Sequence, residues 1–308
     1  MKINIFSHKY GNLNEIPDGT EDPQDLLAIG INLQDRLHTV KIYDIREYLL
    51  FFKKFNAAPD TINILEVPAK SSYMNGLASI VIHKLSNVYV YHSADMGDLE
   101  ALDDDKFEVY STLIKKSHGV LYKYSDAVDY LLSLNKKVQK VGHIVNVGSL
   151  KDDLHIAQVA NKILYVPGYQ DLLYNNILIQ RLRKLTVPQD VYVYLPSPKR
   201  AKKWFAKFKL DHNIHIIRRP FETILERMQF MSTCSVVINF NNDNDAYDLS
   251  YEAAYLGIPC FCKCENGYTH HGAFKQLEML PSSITPVKID YNSDRLMNAI
   301  EVFLWGSR

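Results

Sequence analysis

The chain has 308 residues, 47% of them hydrophobic, and its 35 Lys and Arg are balanced by 35 Asp and Glu, the profile of a globular protein of about two domains. Zero net charge provides no global field toward nucleic acid or membrane, so any contact with a polyanion has to come from a local patch. No apolar run approaches the roughly 20 residues of a membrane span, and the opening Met1-Lys2-Ile3-Asn4-Ile5-Phe6-Ser7 is too short an apolar run for a signal peptide, which makes a cytoplasmic protein the expectation.

The first half alternates strands with helices. The pattern predicts a strand over 2–7, a polar loop over 8–22, a helix over 23–37 opened by Pro23, a strand over 40–43, and a helix over 44–55. It continues with strand 62–67, helix 72–85, strand 88–91, helix 106–116, strand 119–122, helix 125–134 and strand 138–145. Residues 148–162 break the rhythm, and a second series follows: strand 163–166, helix 172–185, strand 191–195, helix 199–208, strand 214–217, helix 222–233 and strand 236–240. Helix 249–256, strand 260–264, strand 285–288 and helix 293–304 complete it. Regular strand–helix alternation implies parallel sheets covered by helices. The expected fold is therefore α/β, two Rossmann-like domains facing across a cleft, with residues 1–147 as the acceptor-side domain and 148–308 as the nucleotide-sugar domain. Chemistry is expected beyond the carboxyl ends of the strands.

The most informative stretch is Tyr251-Glu252-Ala253-Ala254-Tyr255-Leu256-Gly257-Ile258-Pro259-Cys260, after the apolar strand Val236-Val237-Ile238-Asn239-Phe240 and the polar loop Asn241-Asn242-Asp243-Asn244-Asp245. A carboxylate near the start of a helix that follows such a strand can accept both hydroxyls of a ribose diol. Three of the four cysteines, Cys260, Cys262 and Cys264, alternate along one expected strand and read as small apolar residues on one face; no metal site is expected.

Two such domains, with Glu-Ala-Ala-x-x-Gly-x-Pro in the second, resemble the GT-B glycosyltransferases. The start Lys2-Ile3-Asn4-Ile5 and the strand end Val88-Tyr89-Val90-Tyr91-His92-Ser93-Ala94-Asp95 resemble the T-even-type phage DNA glucosyltransferases. The resemblance implies that the second domain binds a UDP-sugar, with UDP-glucose as the expected donor, and that the first binds the acceptor. It makes Glu252 the ribose ligand. Asn244 stands where many retaining members carry a second glutamate, eight residues before it. The family often places an Arg and a Lys just after the first strand of the second domain; the matching loop 167–176 contains Gly168 but no cation. The donor diphosphate still needs positive partners or helix N-terminal amides. Lys199 and Arg200, beside Ser197 in Pro196-Ser197-Pro198-Lys199-Arg200, and Arg218 and Arg219 are the candidates. Gly11, in the loop after the first strand, would let the backbone approach the phosphates.

In the first domain, the resemblance makes Asp95 the general base of an inverting transfer, removing the acceptor hydroxyl's proton. In a retaining transfer, His92 would instead contact the sugar or diphosphate. The acceptor implied by the phage enzymes is a hydroxymethylated pyrimidine in double-stranded DNA, or a sugar already attached to one. Eight cations between Lys199 and Arg219, interleaved with Trp204, Phe205 and Phe208, would suit a phosphate backbone, whereas the acidic residues Asp95, Asp98, Glu100, Asp103, Asp104 and Asp105 would repel one. Other readings stay open: a carbohydrate, lipid or protein acceptor, a sugar-nucleotide epimerase, or a nucleotide-binding module without catalysis.

Overall fold

The computed structural model describes residues 1–7, 25–46, 60–67, 72–94, 96–123, 127–141, 162–167, 190–194, 214–217, 221, 224–239, 244–258, 260–262 and 293–306. The strands are β1 (Lys2–Ser7), β2 (Thr39–Asp44), β3 (Ile62–Glu66), β4 (Val88–His92), β5 (Gly119–Tyr122), β6 (Val138–Lys140), β7 (Lys162–Val166), β8 (Asp190–Tyr194), β9 (Ile214–Ile217), β10 (Val236–Asn239) and β11 (Cys260–Cys262). The helices are α1 (Asp25–Asp35), α2 (Ser72–Lys84), α3 (Met96–Glu100), α4 (Asp104–Lys116), α5 (Val128–Leu134), α6 (Ile224–Ser232), α7 (Asn244–Tyr255) and α8 (Ser293–Trp305).

The chain divides into two compact units. One comprises Met1–Pro17, Asp22–Asn146 and Ser293–Arg308, the other Asp18–Glu21 and Val147–Asn292. The first holds six parallel strands in the order β2-β1-β3-β4-β5-β6. Successive side chains of a strand point to opposite faces, and both faces here are covered. Val88 and Val90 of β4 join Ala78, Val81, Tyr110, Leu113 and Ile114 from α2 and α4. Tyr89 and Tyr91 join Leu26, Leu27, Ile29 and Leu33 of α1 on the other side. The sheet order reverses between β1 and β3, a topological switch point where ligands of open α/β sheets bind.

The helix at the end of the chain, expected within 148–308, packs on the first unit. Met297, Ile300 and Leu304 are buried in the same core as α1 and β1. Arg36 clamps the helix start through Asp294 at 2.7 Å and reaches Glu301 at 3.1 Å, and His38 Nε2 lies 2.9 Å from Glu301. Tyr89 donates from its hydroxyl to the Leu304 carbonyl at 3.2 Å. Sequence order could not reveal this return, because the amphipathic stripe of a helix does not say which core receives it.

The second unit holds five parallel strands in the order β11-β10-β7-β8-β9, with its switch point between β7 and β10. Two helix starts depart from expectation. The helix α3 lies in a stretch read as irregular, and α7 begins at Asn244 rather than 249, taking in the last residues of the expected polar loop. Asn and Asp favour helix starts because they compete with the backbone elsewhere in a helix. The helices expected over 172–185 and 199–208, the strand over 285–288 and most of the helix over 44–55 lie outside the described residues.

Ile300 is fully buried, so Ile300→Ala should lower the unfolding free energy by about 2–5 kcal/mol. Urea denaturation followed by a probe in the first unit checks this; an unchanged midpoint would mean that α8 does not belong to that core.

Candidate functional site

Parallel strands buried on both faces leave their carboxyl ends as the place for polar groups. In the second unit, β10 ends at Asn239, whose side-chain amide donates to Ser250 Oγ of α7 at 3.0 Å. Two residues beyond Ser250 stands Glu252, which has no solvent exposure. Because α7 starts at Asn244, Glu252 sits in the helix's last turn and not near its start. The negative end of the helix dipole disfavours a carboxylate there. The compensation comes from α6: Arg227 donates from Nε to Glu252 Oε2 at 2.8 Å and from Nη2 to Oε1 at 2.5 Å. This is the two-pronged guanidinium–carboxylate geometry, strong and directional.

Arg227 is the residue that sequence reading missed. Its signal was present: with Met228 and Met231 it lies on the buried side of α6, and a cation on an apolar helix face calls for a buried anion. Beyond Glu252 the chain leaves α7 through Gly257, at φ 68°. Gly257 N–H bonds Ala254 O at 3.0 Å and Ile258 N–H bonds Ala253 O at 2.8 Å, a helix stop that favours glycine. The Glu-Ala-Ala-x-x-Gly run thus has a structural task of its own: it buries an ion pair and turns the chain into β11.

In the first unit, the carboxyl edge presents two buried polar groups on opposite faces. At the switch point, Ser7 ends β1 and donates from its hydroxyl to Glu66 Oε2, the end of β3, at 3.1 Å. On the neighbouring strand β4, His92 is fully buried, its Nδ1 hydrogen-bonded to the Tyr110 hydroxyl of α4 and its Nε2 without a hydrogen-bond partner among the described residues. Burial pushes the His92 pKa down from 6.5 to about 4, with a hydrogen bond to the Ala94 backbone and the charge of Asp98 pulling the other way. The ring is neutral at pH 7. Sequence reasoning found His92 from its place at a strand end, but not Ser7, Glu66 or Tyr110, whose roles depend on strand pairing and helix packing.

Of the other expected site residues, Asn244 is the first residue of α7. Gly11, Asp95, Gly168, Ser197, Lys199, Arg200, Arg218 and Arg219 lie outside the described residues, as does most of the basic stretch between Lys199 and Arg219. Part of the acidic run has a local use: Asp103 caps α4 by accepting from the Lys106 backbone N–H at 2.9 Å, and Asp104 and Asp105 occupy the first turn, where negative charge is favourable. Among the described residues no group of His, Cys, Asp and Glu is arranged to hold a metal ion, and no helix is long and apolar enough to cross a membrane.

No family model and no curated protein matches the sequence. Solved structures do match. An alpha-glucosyltransferase in complex with UDP and a 13-mer DNA containing an HMU base aligns with a TM-score of 0.56 at 13% identity, covering 99% of this chain and 95% of that one. Sucrose-phosphate synthase from Thermosynechococcus elongatus aligns with a TM-score of 0.56 at 11% identity, over 98% of this chain and 89% of the other. A putative UDP-N-acetylglucosamine 2-epimerase from Listeria monocytogenes aligns with a TM-score of 0.52 at 11% identity, over 100% and 97%. The fold is that of the GT-B proteins, with two Rossmann-like units, as the resemblance implied.

Two stability tests follow from these groups. Arg227→Met strands a buried carboxylate and should cost about 3–5 kcal/mol, whereas pairing it with Glu252→Leu should restore most of the loss; urea melts of the four proteins decide, and simple additivity would mean the two side chains are not coupled. His92 makes stability depend on acid. The unfolded ring takes up a proton below about pH 6.5 and the folded ring only near pH 4. The unfolded state therefore binds more protons in between, and stability that is complete above pH 6.5 is lost as pH falls through that window, by about 3 kcal/mol. His92→Gln should flatten this slope; an unchanged pH dependence would show that another group carries it.

Proposed function

We propose that this protein is a nucleotide-sugar-dependent glycosyltransferase that moves a hexose from a UDP-sugar to an acceptor hydroxyl. The observation that carries the reading is the extent of the likeness: 99% of this chain aligns with 95% of an alpha-glucosyltransferase bound to UDP and DNA. UDP-glucose is the favoured donor, since an alpha-glucosyltransferase of the same fold was solved with UDP-glucose.

In this reading the second unit holds the nucleotide. Glu252 accepts the ribose diol on the lone pairs that Arg227 leaves, because a carboxylate offers about four acceptor positions and the guanidinium uses one on each oxygen. The carboxylate has no solvent exposure in the described arrangement, so donor binding has to uncover it. Lys199, Arg200, Arg218 and Arg219 neutralise the diphosphate, Gly11, Gly168 and Ser197 bring backbone and hydroxyl groups to it, and Asn244 lies at the helix start facing the same ligand. On the first unit, Asp95 takes the acceptor hydroxyl's proton while that oxygen bonds to the anomeric carbon and the carbon–oxygen bond to UDP breaks, UDP leaving as the anion. The acceptor is a hydroxymethylated pyrimidine in double-stranded DNA or a sugar on it.

The likeness to the putative 2-epimerase supports a second reading, in which a UDP-sugar is altered with no acceptor consumed. A panel of UDP, GDP, ADP, NAD and UDP-glucose separates these. A ligand at about 100 times its dissociation constant adds about 2.7 kcal/mol and shifts melting by several degrees. UDP and UDP-glucose alone should shift it, and UDP release from UDP-glucose should rise on adding hydroxymethylated duplex but not unmodified duplex. Stabilisation by NAD alone would overturn the reading; conversion of the sugar without acceptor would favour the epimerase. Asp95→Ala should keep donor binding and lose transfer by at least about 100-fold; unimpaired transfer would remove Asp95 as the base.

A further inference from the structure

The His92–Tyr110 pair settles which ring nitrogen carries the proton. Both side chains are fully buried. Among the described residues the Tyr110 hydroxyl bonds only His92 Nδ1, and His92 Nε2 has no partner. A neutral imidazole has one N–H donor and one acceptor nitrogen, so two arrangements exist. If Nδ1–H donated to the phenol oxygen, the buried phenol proton would have no acceptor and Nε2 would keep an unused lone pair. If the phenol O–H donates to Nδ1, only Nε2–H is left unmatched. Buried polar groups without partners are costly, so the second arrangement is favoured. Burial also raises the Tyr110 pKa, which keeps the phenol proton available to donate.

We propose that Tyr110 is a positioning residue that holds the His92 proton on Nε2, so that His92 meets a substrate oxygen at the carboxyl end of β4 as a hydrogen-bond donor and not as a proton acceptor. The ligand chemistry that fits is an oxygen of the nucleotide sugar, a hydroxyl of the hexose or an oxygen of the diphosphate; this part rests on the glycosyltransferase reading. A neutral N–H in a water-free site stabilises developing negative charge on such an oxygen without giving up its proton. The pair places His92 outside the acid–base step and leaves proton removal to another group.

The test uses the full chain labelled with nitrogen-15 histidine. Two-bond nitrogen–proton correlation spectra, with His92→Gln to assign the ring, read the tautomer in the free protein. Protonation at Nε2 in the wild type, and its loss or mixing in a folded Tyr110→Phe variant, is the expected result; Nδ1 protonation in the wild type overturns the proposal. UDP-glucose should then move the Nε2–H proton downfield. UDP-glucose that binds by thermal shift yet leaves Nε2–H unchanged overturns the substrate contact. A protein that binds no uridine nucleotide overturns the glycosyltransferase reading, while the tautomer in the free protein still decides the role of Tyr110. In transfer assays, Tyr110→Phe should lower kcat about tenfold with little change in donor KM. In a His92→Gln background the same substitution should have no further effect, because an amide N–H needs no tautomer; an undiminished loss there would show that Tyr110 acts only through packing.

Discussion

Burying both faces of a parallel sheet governs where this protein can keep polar chemistry. The strands β3, β4 and β5 are buried along their whole length, so a polar side chain on one of them must find a partner in the core or stand at its end. Glu66, His92 and Asn239 close their strands, and each is buried. The helices that cover the sheets supply matching groups: Tyr110 from α4 for His92, Ser250 from α7 for Asn239. The same packing that makes the sheets stable therefore gathers the polar groups into a narrow band at the carboxyl edge, which is also where ligands of such sheets bind.

Within this band, charge is handled in two ways. The second unit neutralises its buried carboxylate with a guanidinium held in two-pronged geometry, joining α6 to α7. A buried pair of this kind contributes little net stability and much specificity of arrangement, since either partner alone is heavily penalised. The first unit avoids charge at His92 by keeping the ring neutral in a dry setting and anchoring one nitrogen on a phenol. A fixed donor and a locked carboxylate suit a site that orients a ligand rich in hydroxyls and phosphate oxygens, because neither has to reorganise when the ligand arrives.

Glu252 shows how a correct residue can be given a wrong local setting. Its motif drew attention because a carboxylate after a strand and a polar loop suggests a helix start. The helix begins several residues earlier, at Asn244, so Glu252 stands at the dipole's unfavourable end and depends on Arg227. The polar run Asn241–Asp245 reads equally as loop or as helix start, since the same side chains serve both, and only packing of Leu249, Ala253 and Leu256 against the sheet decides. Arg227 was within reach of periodicity, being one residue before a buried Met228. The anion that explains it stands 25 positions later, too far for local pattern to connect.

The sequence by itself determined the class of fold. Apolar runs of strand length alternating with amphipathic helices can bury their surface in few ways, and parallel sheets flanked by helices are the economical one. It also determined the helix stop at Gly257, because a positive φ favours glycine locally. Tertiary structure alone decided which strands became neighbours, and with them the Ser7–Glu66 hydrogen bond across the β1/β3 switch point. It alone returned α8 to the first unit, paired Arg227 with Glu252 and set Tyr110 against His92. These are contacts between residues 18 to more than 250 positions apart, and such contacts are chosen by the burial of whole faces, a quantity that no short stretch of chain contains.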